Sequence, residues 1–431
     1  MSTPRLIIGK LDGIGRVRFS KPGYDVTDLA LTNEQLVFDS AWSEILGVHQ
    51  MSLDTGLLGV TQRTFGSYRR FTADVSIPTL PFAPLALGWK VDYNIQNSFQ
   101  TLIYLKRYMP ACMCTATNYI RLTSPVDNFS SSRFAYYVFN KPLLGVDARE
   151  AENGGGNSMI LGNHPSRSAG LYISRRGADV HTCGDDDLTL STLRPVLQVA
   201  ESGVVSASVI ATSFGNRLVG DITTSRPYPN HPPVLMRGAT QPWGLGNASA
   251  IATSEYGWRS DTVIHFELTG GGTADPLHWT ILEYDNDYVP GLDAAPTPRV
   301  ELEDGVLKIS KKNIDVRSAG ESDLLLRTDR SVLHVKDRVH KTFLPGAAAG
   351  NIPLTTNISA PPIVIFGLTW NGENYCRPVG VNTTPLNTDW RITGPNFADN
   401  VRANATNSNQ ISFLGTAAAG DNFHAAVIEH S

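Results

Sequence analysis

Few residues in this chain have the type and spacing that covalent chemistry needs. No Gly-x-Ser-x-Gly elbow and no Gly-Lys-Ser/Thr loop occurs, so neither a strained serine nucleophile nor a phosphate cradle has its motif. Gly271-Gly272-Thr273-Ala274-Asp275 and Gly154-Gly155-Gly156-Asn157 are glycine clusters with no helix pattern after them, and they read as loops. Cys112-Met113-Cys114 puts two thiols on one face of a strand, but no second pair completes a four-ligand zinc site, and buried thiols are the plainer reading. His424 with Glu429 and His430 is a loose set, as is Asp185-Asp186-Asp187, whose carboxylates suit a turn better than a calcium site. Among 40 acidic residues any pair could be nominated for glycoside hydrolysis, and no β-helix repeat singles one out. Catalytic, metal and cofactor residues are therefore expected to be none.

Aromatic residues are the remaining candidates. Trp243, Trp258, Trp370 and Trp390 stand in or beside expected loops, among Gly, Asn, Ser and Arg neighbours, where a ring could meet a sugar or a protein surface. The blander reading has each Trp filling a core or covering a sheet edge, and Trp42 and Trp279, inside expected strands, are core residues by default.

The composition narrows the partners. Apolar residues make up 41% and charged residues 18%, and 36 basic against 40 acidic side chains leave a net charge of −4. With no basic excess to neutralise phosphates, nucleic acid is not an expected partner. The most apolar stretch, Ile77 to Trp89, is broken by Pro78, Pro81 and Pro84 and is too short to span a bilayer. Met1-Ser2-Thr3-Pro4-Arg5-Leu6 does not resemble a secretory leader, and four scattered cysteines do not make a disulfide framework, so assembly in a reducing cytoplasm is expected.

What must position any site is a threefold internal repeat. Val17-Arg18-Phe19-Ser20-Lys21-Pro22-Gly23-Tyr24-Asp25-Val26 is matched by Leu171 to Val180 and by Leu307 to Val316. All three read apolar-x-apolar-Ser-basic-x-(Gly/Asn)-x-Asp-Val. The alternation predicts a half-buried strand, and Gly23, Gly177 and Asn313 occupy the position where a tight turn demands positive φ. The following Asp can accept a bond from its own turn, and a second strand is expected to leave that turn. A second block, Leu36 to Val48, aligns with Leu188 to Val199 and Leu324 to Val335. Pro-led apolar strands follow at Pro84, Pro233 and Pro362, and closing apolar runs at Ala135–Phe139, Trp279–Leu282 and Ala425–Ile428.

Helical periodicity is almost absent, and short strands with regular turn signals predict an all-β chain of three tandem β-sandwich-like modules. The expected limits are module 1 at 1–145, a linker at 146–168, module 2 at 169–285, a linker at 286–300 and module 3 at 301–431. Both linkers are rich in Gly, Pro and polar residues.

The stretch Phe19-Ser20-Lys21-Pro22-Gly23-Tyr24-Asp25-Val26, with Leu36-Val37-Phe38-Asp39-Ser40-Ala41-Trp42, resembles the opening of minor structural, tail-tip or tail-fibre proteins of siphovirus-like tailed bacteriophages and prophages. The match covers residues 14–50, and the other two copies lack its Pro, Tyr and Trp. The resemblance implies a structural virion protein of the tail, a scaffold with possible host attachment, and carries over no catalytic residue. It implies sister chains in a homotrimer, other tail proteins and a host-surface glycan or protein as partners. The alternatives are a carbohydrate-binding β-sandwich protein and a capsid-decoration or collar protein.

Overall fold

A computed structural model describes the chain between residues 4 and 430. Its longer undescribed stretches are 40–45, 97–102, 124–130, 145–158, 192–196, 239–253, 270–276, 284–296, 328–332, 343–348, 356–362, 380–401 and 415–421. The protein is all-β, with no α-helix among the described residues.

Three small sheets of three strands recur along the chain with one pairing scheme. They are Leu6–Leu11, Ile14–Ser20 and Leu36–Asp39; then Met159–His164, Arg167–Ser174 and Leu188–Ser191; then Val300–Glu303, Val306–Ser310 and Leu324–Arg327. Within them Phe19 faces Phe38, Ile173 faces Leu190 and Ile309 faces Leu326, and each register slips by one residue immediately afterwards. The motif explains the slip. Ser20, Ser174 and Ser310 end their strands by donating Oγ to the carbonyls of Tyr24, Ala178 and Ile314, at 2.6, 2.5 and 2.6 Å. Those same residues return N–H bonds of 3.2 Å to Lys21, Arg175 and Lys311, closing a β-turn. Gly23, Gly177 and Asn313 sit in it at φ of 91°, 81° and 60°, the left-handed region that Gly and Asn tolerate best. Asp25, Asp179 and Asp315 each accept the backbone N–H two residues on. The turn does not open a hairpin as expected. Further turns follow, and the partner strand begins at Leu36, Leu188 or Leu324.

A second arrangement also recurs. The strand after each small sheet (Val48–Ser52, Gln198–Val205, Leu333–Thr342) lies beside the closing strand (Ser131–Pro142, Leu277–Glu283, Asn422–His430), which lies beside the Pro-led strand (Pro84–Gln96, Val234–Gly238, Ile363–Trp370). All three carry a bulge just after Val48, Val199 and Val335.

Strands also pair from one expected module to another. Ile103–Pro110 of the first segment pairs with Ser254–Ser260 of the second, making a nine-stranded sheet. Cys112–Thr115 of the first pairs with Glu373–Val379 of the third, making an eight-stranded sheet. These sheets pack face to face, so closely at Gly88 that an added Cβ would lie 2.6 Å from Met113 Sδ. One buried cluster runs through all three segments, including Trp89, Tyr137, Trp258, Phe266, Ile281, Leu333 and Ile428. The physical reason is edge satisfaction: a strand whose edge lies open needs a partner for its N–H and C=O groups, and here another segment supplies it. Residues 159–164, expected in a linker, form the first strand of the second small sheet, because Met159 and Leu161 pair with Ile173 and Leu171.

Candidate functional site

The most distinctive site is where the three segments meet. Leu46, Leu197 and Leu333, aligned in the repeat, are fully buried and joined main chain to main chain in a ring. Leu46 N–H donates to Leu333 C=O at 3.2 Å, Leu333 N–H to Leu197 C=O at 3.2 Å, and Leu197 N–H to Leu46 C=O at 3.4 Å. A ring that closes after three equivalent steps is a cyclic arrangement about an axis, not a row of beads. The small sheets share one core of Val17, Phe19, Leu171, Ile173, Leu190, Leu307, Ile309 and Leu326. A small sheet needs its apolar face covered, and the shared core does this for all three.

The seam between the first and second segments carries a set of buried polar contacts. Tyr228 to Pro233 holds three prolines, Pro229, Pro232 and Pro233, which have no N–H to give a ladder. Three of its carbonyls are taken by side chains. Tyr108 OH donates to His231 C=O at 2.6 Å, Trp258 Nε1 to Pro232 C=O at 2.9 Å and Lys106 Nζ to Asn230 C=O at 3.4 Å. His231, at φ 48°, also meets Asp261 at 2.9 Å, and burial lowers its pKa against that pull. The Lys106 amine sits 5.2 Å from the Tyr108 ring centre and 5.6 Å from that of Tyr93. Burial brings its pKa down to about 8, with the Asp54 charge pulling the other way. An amine so shifted has the chemistry of a nucleophilic lysine, but Lys106 is 4% exposed and enclosed by rings and a carbonyl, which closes it to a substrate.

A second polar group lies on the same sheet. His265 Nδ1 meets Asp221 at 2.6 Å and its Nε2 lies 3.5 Å from the buried Glu267, while Arg259 reaches Asp221 at 3.2 Å. Burial alone would lower the His265 pKa, but the bonds from Glu267 and Asp221 and the carboxylate charges outweigh it and raise the value.

The residues singled out from sequence fall differently. Trp258 is 0% exposed, so it is not a surface-binding aromatic; strand pairing with Lys106 turns it into the seam, where its indole packs at a tilt against Tyr228 and His231. Trp370 ends a strand opposite Glu373, while Trp243 and Trp390 lie outside the described residues, as do Trp42, Asp185, Asp186 and both glycine clusters. Trp279 is buried as expected, its ring against Gly203. Asp187 meets Arg175 at 2.7 Å. Cys376 pairs with Met113 across two neighbouring strands. Among the described residues no group of three His, Cys, Asp or Glu is placed to hold a metal, and no helix is long and apolar enough to cross a membrane. Lys106 was missed, though a signal existed: Tyr104, Lys106 and Tyr108 alternate as an inward row, and a lysine there is anomalous. No protein-family model matches the chain, and no curated protein matches it.

Proposed function

We propose that this chain is a structural element of a tailed-bacteriophage virion, a minor tail, tail-tip or fibre component whose role is mechanical and adhesive rather than catalytic. The observation that carries the reading is the cyclic main-chain ring of Leu46, Leu197 and Leu333, with sheets that cross from segment to segment. Three segments of one polypeptide form a cyclic body of the kind that three sister chains could otherwise supply. Tethering makes their association intramolecular, so it does not depend on concentration. Within the chain, Ile103–Pro110 gains an edge partner in Ser254–Ser260, and Cys112–Thr115 gains one in Glu373–Val379. Other tail proteins, and a host-surface glycan or protein, are the partners this role calls for.

The test is electron microscopy of intact particles from cells producing the tagged chain, with gold-labelled antibody to the tag. Label confined to the tail supports the reading; label on the head or collar favours the decoration alternative. A glycan array on the purified chain separates out the lectin alternative, and glycan cleavage lost on substituting an Asp or Glu would overturn the structural role.

A further inference from the structure

Residues 228–233 are held in the seam through their carbonyls, since Pro229, Pro232 and Pro233 have no N–H to give. Their main chain bonds Tyr228 N–H to Asp261 C=O at 2.7 Å and His231 N–H to Tyr228 C=O at 2.9 Å, both within the second segment. The grip from the first segment comes through Tyr108 OH on the His231 carbonyl and Lys106 Nζ on that of Asn230. His231 therefore brings a second basic nitrogen one residue from the carbonyl that Lys106 binds. Its side chain is 14% exposed and its ring lies 5.5 Å from that of Trp258. Asp261, beside it at 2.9 Å, is 53% exposed, so water screens this carboxylate more than it screens the enclosed ammonium. The other charged groups near the stretch are Asp54, acting on Lys106; Arg226, 4.5 Å from the Tyr228 ring centre; Glu201, which accepts from Tyr228 OH at 3.2 Å; and Arg259, engaged by Asp221. Burial holds His231 below its ordinary pKa of 6.5 against the pull of Asp261, and the Lys106 charge adds to the lowering. At neutral pH Lys106 carries a charge here and His231 does not; in acid both would.

We propose that residues 228–233 are an acid-released latch: protonation of His231 beside the Lys106 ammonium frees this stretch from the first segment and uncovers Trp258, while the rest of the core stays shut. The latch is a property of the folded chain itself and goes beyond the virion role. His231 takes its proton more readily released than docked, so docking is strongest above pH 6.5 and weakens as pH falls below it. One proton sets the limit at about tenfold per pH unit. The other crossing between segments pairs Met113, Cys114 and Thr115 with Cys376, Tyr375 and Asn374, none of which gains a proton in acid. Acid sensitivity thus falls on one seam and not on the other.

The test is fluorine NMR of the full chain labelled with fluorotryptophan, in the presence of a soluble gadolinium chelate that broadens exposed rings. Trp258, assigned through Trp258→Phe, reports on the latch, and Trp89, equally sealed at 0% exposure, reports on the core. Near pH 7.5 both signals should be sharp. Near pH 5 the Trp258 signal should broaden, with the released population up by about tenfold, while Trp89 stays sharp. The midpoint should coincide with that of the His231 imidazole followed by proton NMR. His231→Asn suits the φ of 48° but takes up no proton, so it should keep Trp258 sealed near pH 5. Lys106→Met removes the second cation and should cut the release several-fold, whereas His265→Gln should leave it unchanged. The latch is overturned if Trp258 stays sharp near pH 5 in the unsubstituted chain, if Trp89 opens together with it, or if His231→Asn releases as the unsubstituted chain does. Should His231→Asn fail to fold, the two midpoints of the unsubstituted chain decide: coincidence supports the latch and separation overturns it.

Discussion

Replacing Gly257 by alanine tests the crossing of sheets between segments at its tightest point. Gly257 pairs with Arg107 in the seam. A Cβ there would lie 2.5 Å from Tyr104 Cδ1 and 2.8 Å from the main-chain oxygen of Lys106. Favourable carbon contacts are about 3.5–4.0 Å, so roughly 1 Å of retreat is required. Tyr104 is fully buried, and the Lys106 oxygen belongs to the neighbouring strand, so neither yields without parting the two segments. Overpacking costs about 1–3 kcal/mol, and with main chain obliged to move the cost should be near 3 kcal/mol. At roughly 2.1 cal/mol/K per residue, a chain of 431 residues that unfolds as a unit loses about 3 °C of melting temperature. Calorimetry and urea titration measure both figures. Gly59→Ala is the control, since a Cβ there meets nothing within 4 Å. The reasoning fails if Gly257→Ala melts with the wild type, or if only part of the heat absorption moves and the rest stays, because one continuous core requires a joint shift.

Three further outcomes are expected. Gly177→Ala, forced to φ 81°, should lose about 1–2 kcal/mol in urea titration, while Asn313→Gly at the equivalent turn should cost nothing; equal losses would count against the shared turn. Lys106 holds its proton only up to about pH 8 when folded, against 10.5 ordinarily, so the unfolded chain binds the extra proton between those values. The Lys106 contribution therefore improves as pH rises from 8 to 10.5, by on the order of 3 kcal/mol, and Lys106→Met should be the more stable protein at pH 7 with that rise removed. Parallel stability curves for the two would refute it. His265 is shifted the other way: burial opposes the shift, but Glu267 and Asp221 raise its pKa above 6.5. Its stabilisation is complete below pH 6.5 and is lost as pH rises through the folded value, so the deficit of His265→Gln in urea should be largest near pH 5 and shrink above neutrality.

Local backbone chemistry was legible because it depends on neighbours in sequence. The alternation around Phe19, Ile173 and Ile309, the positive φ of Gly23, Gly177 and Asn313, and the Asp two residues on are consequences of steric preference and short-range bonding. The all-β class follows from the same periodicity, whereas the lateral order of first, closing and Pro-led strands in each segment came only with the fold. Which edge meets which was not written locally. An alternating strand states which face is buried but not whose strand lies beside it, since N–H and C=O groups are alike in every residue that is not proline. Hence segments that read as separate modules exchange strands, and Trp258, with loop-like neighbours in sequence, is sealed into a seam by a strand some 150 residues away. The three-leucine ring is the clearest case: the amino-acid string marks Leu46, Leu197 and Leu333 as equivalent, and only folding about a common axis makes them one another's partners.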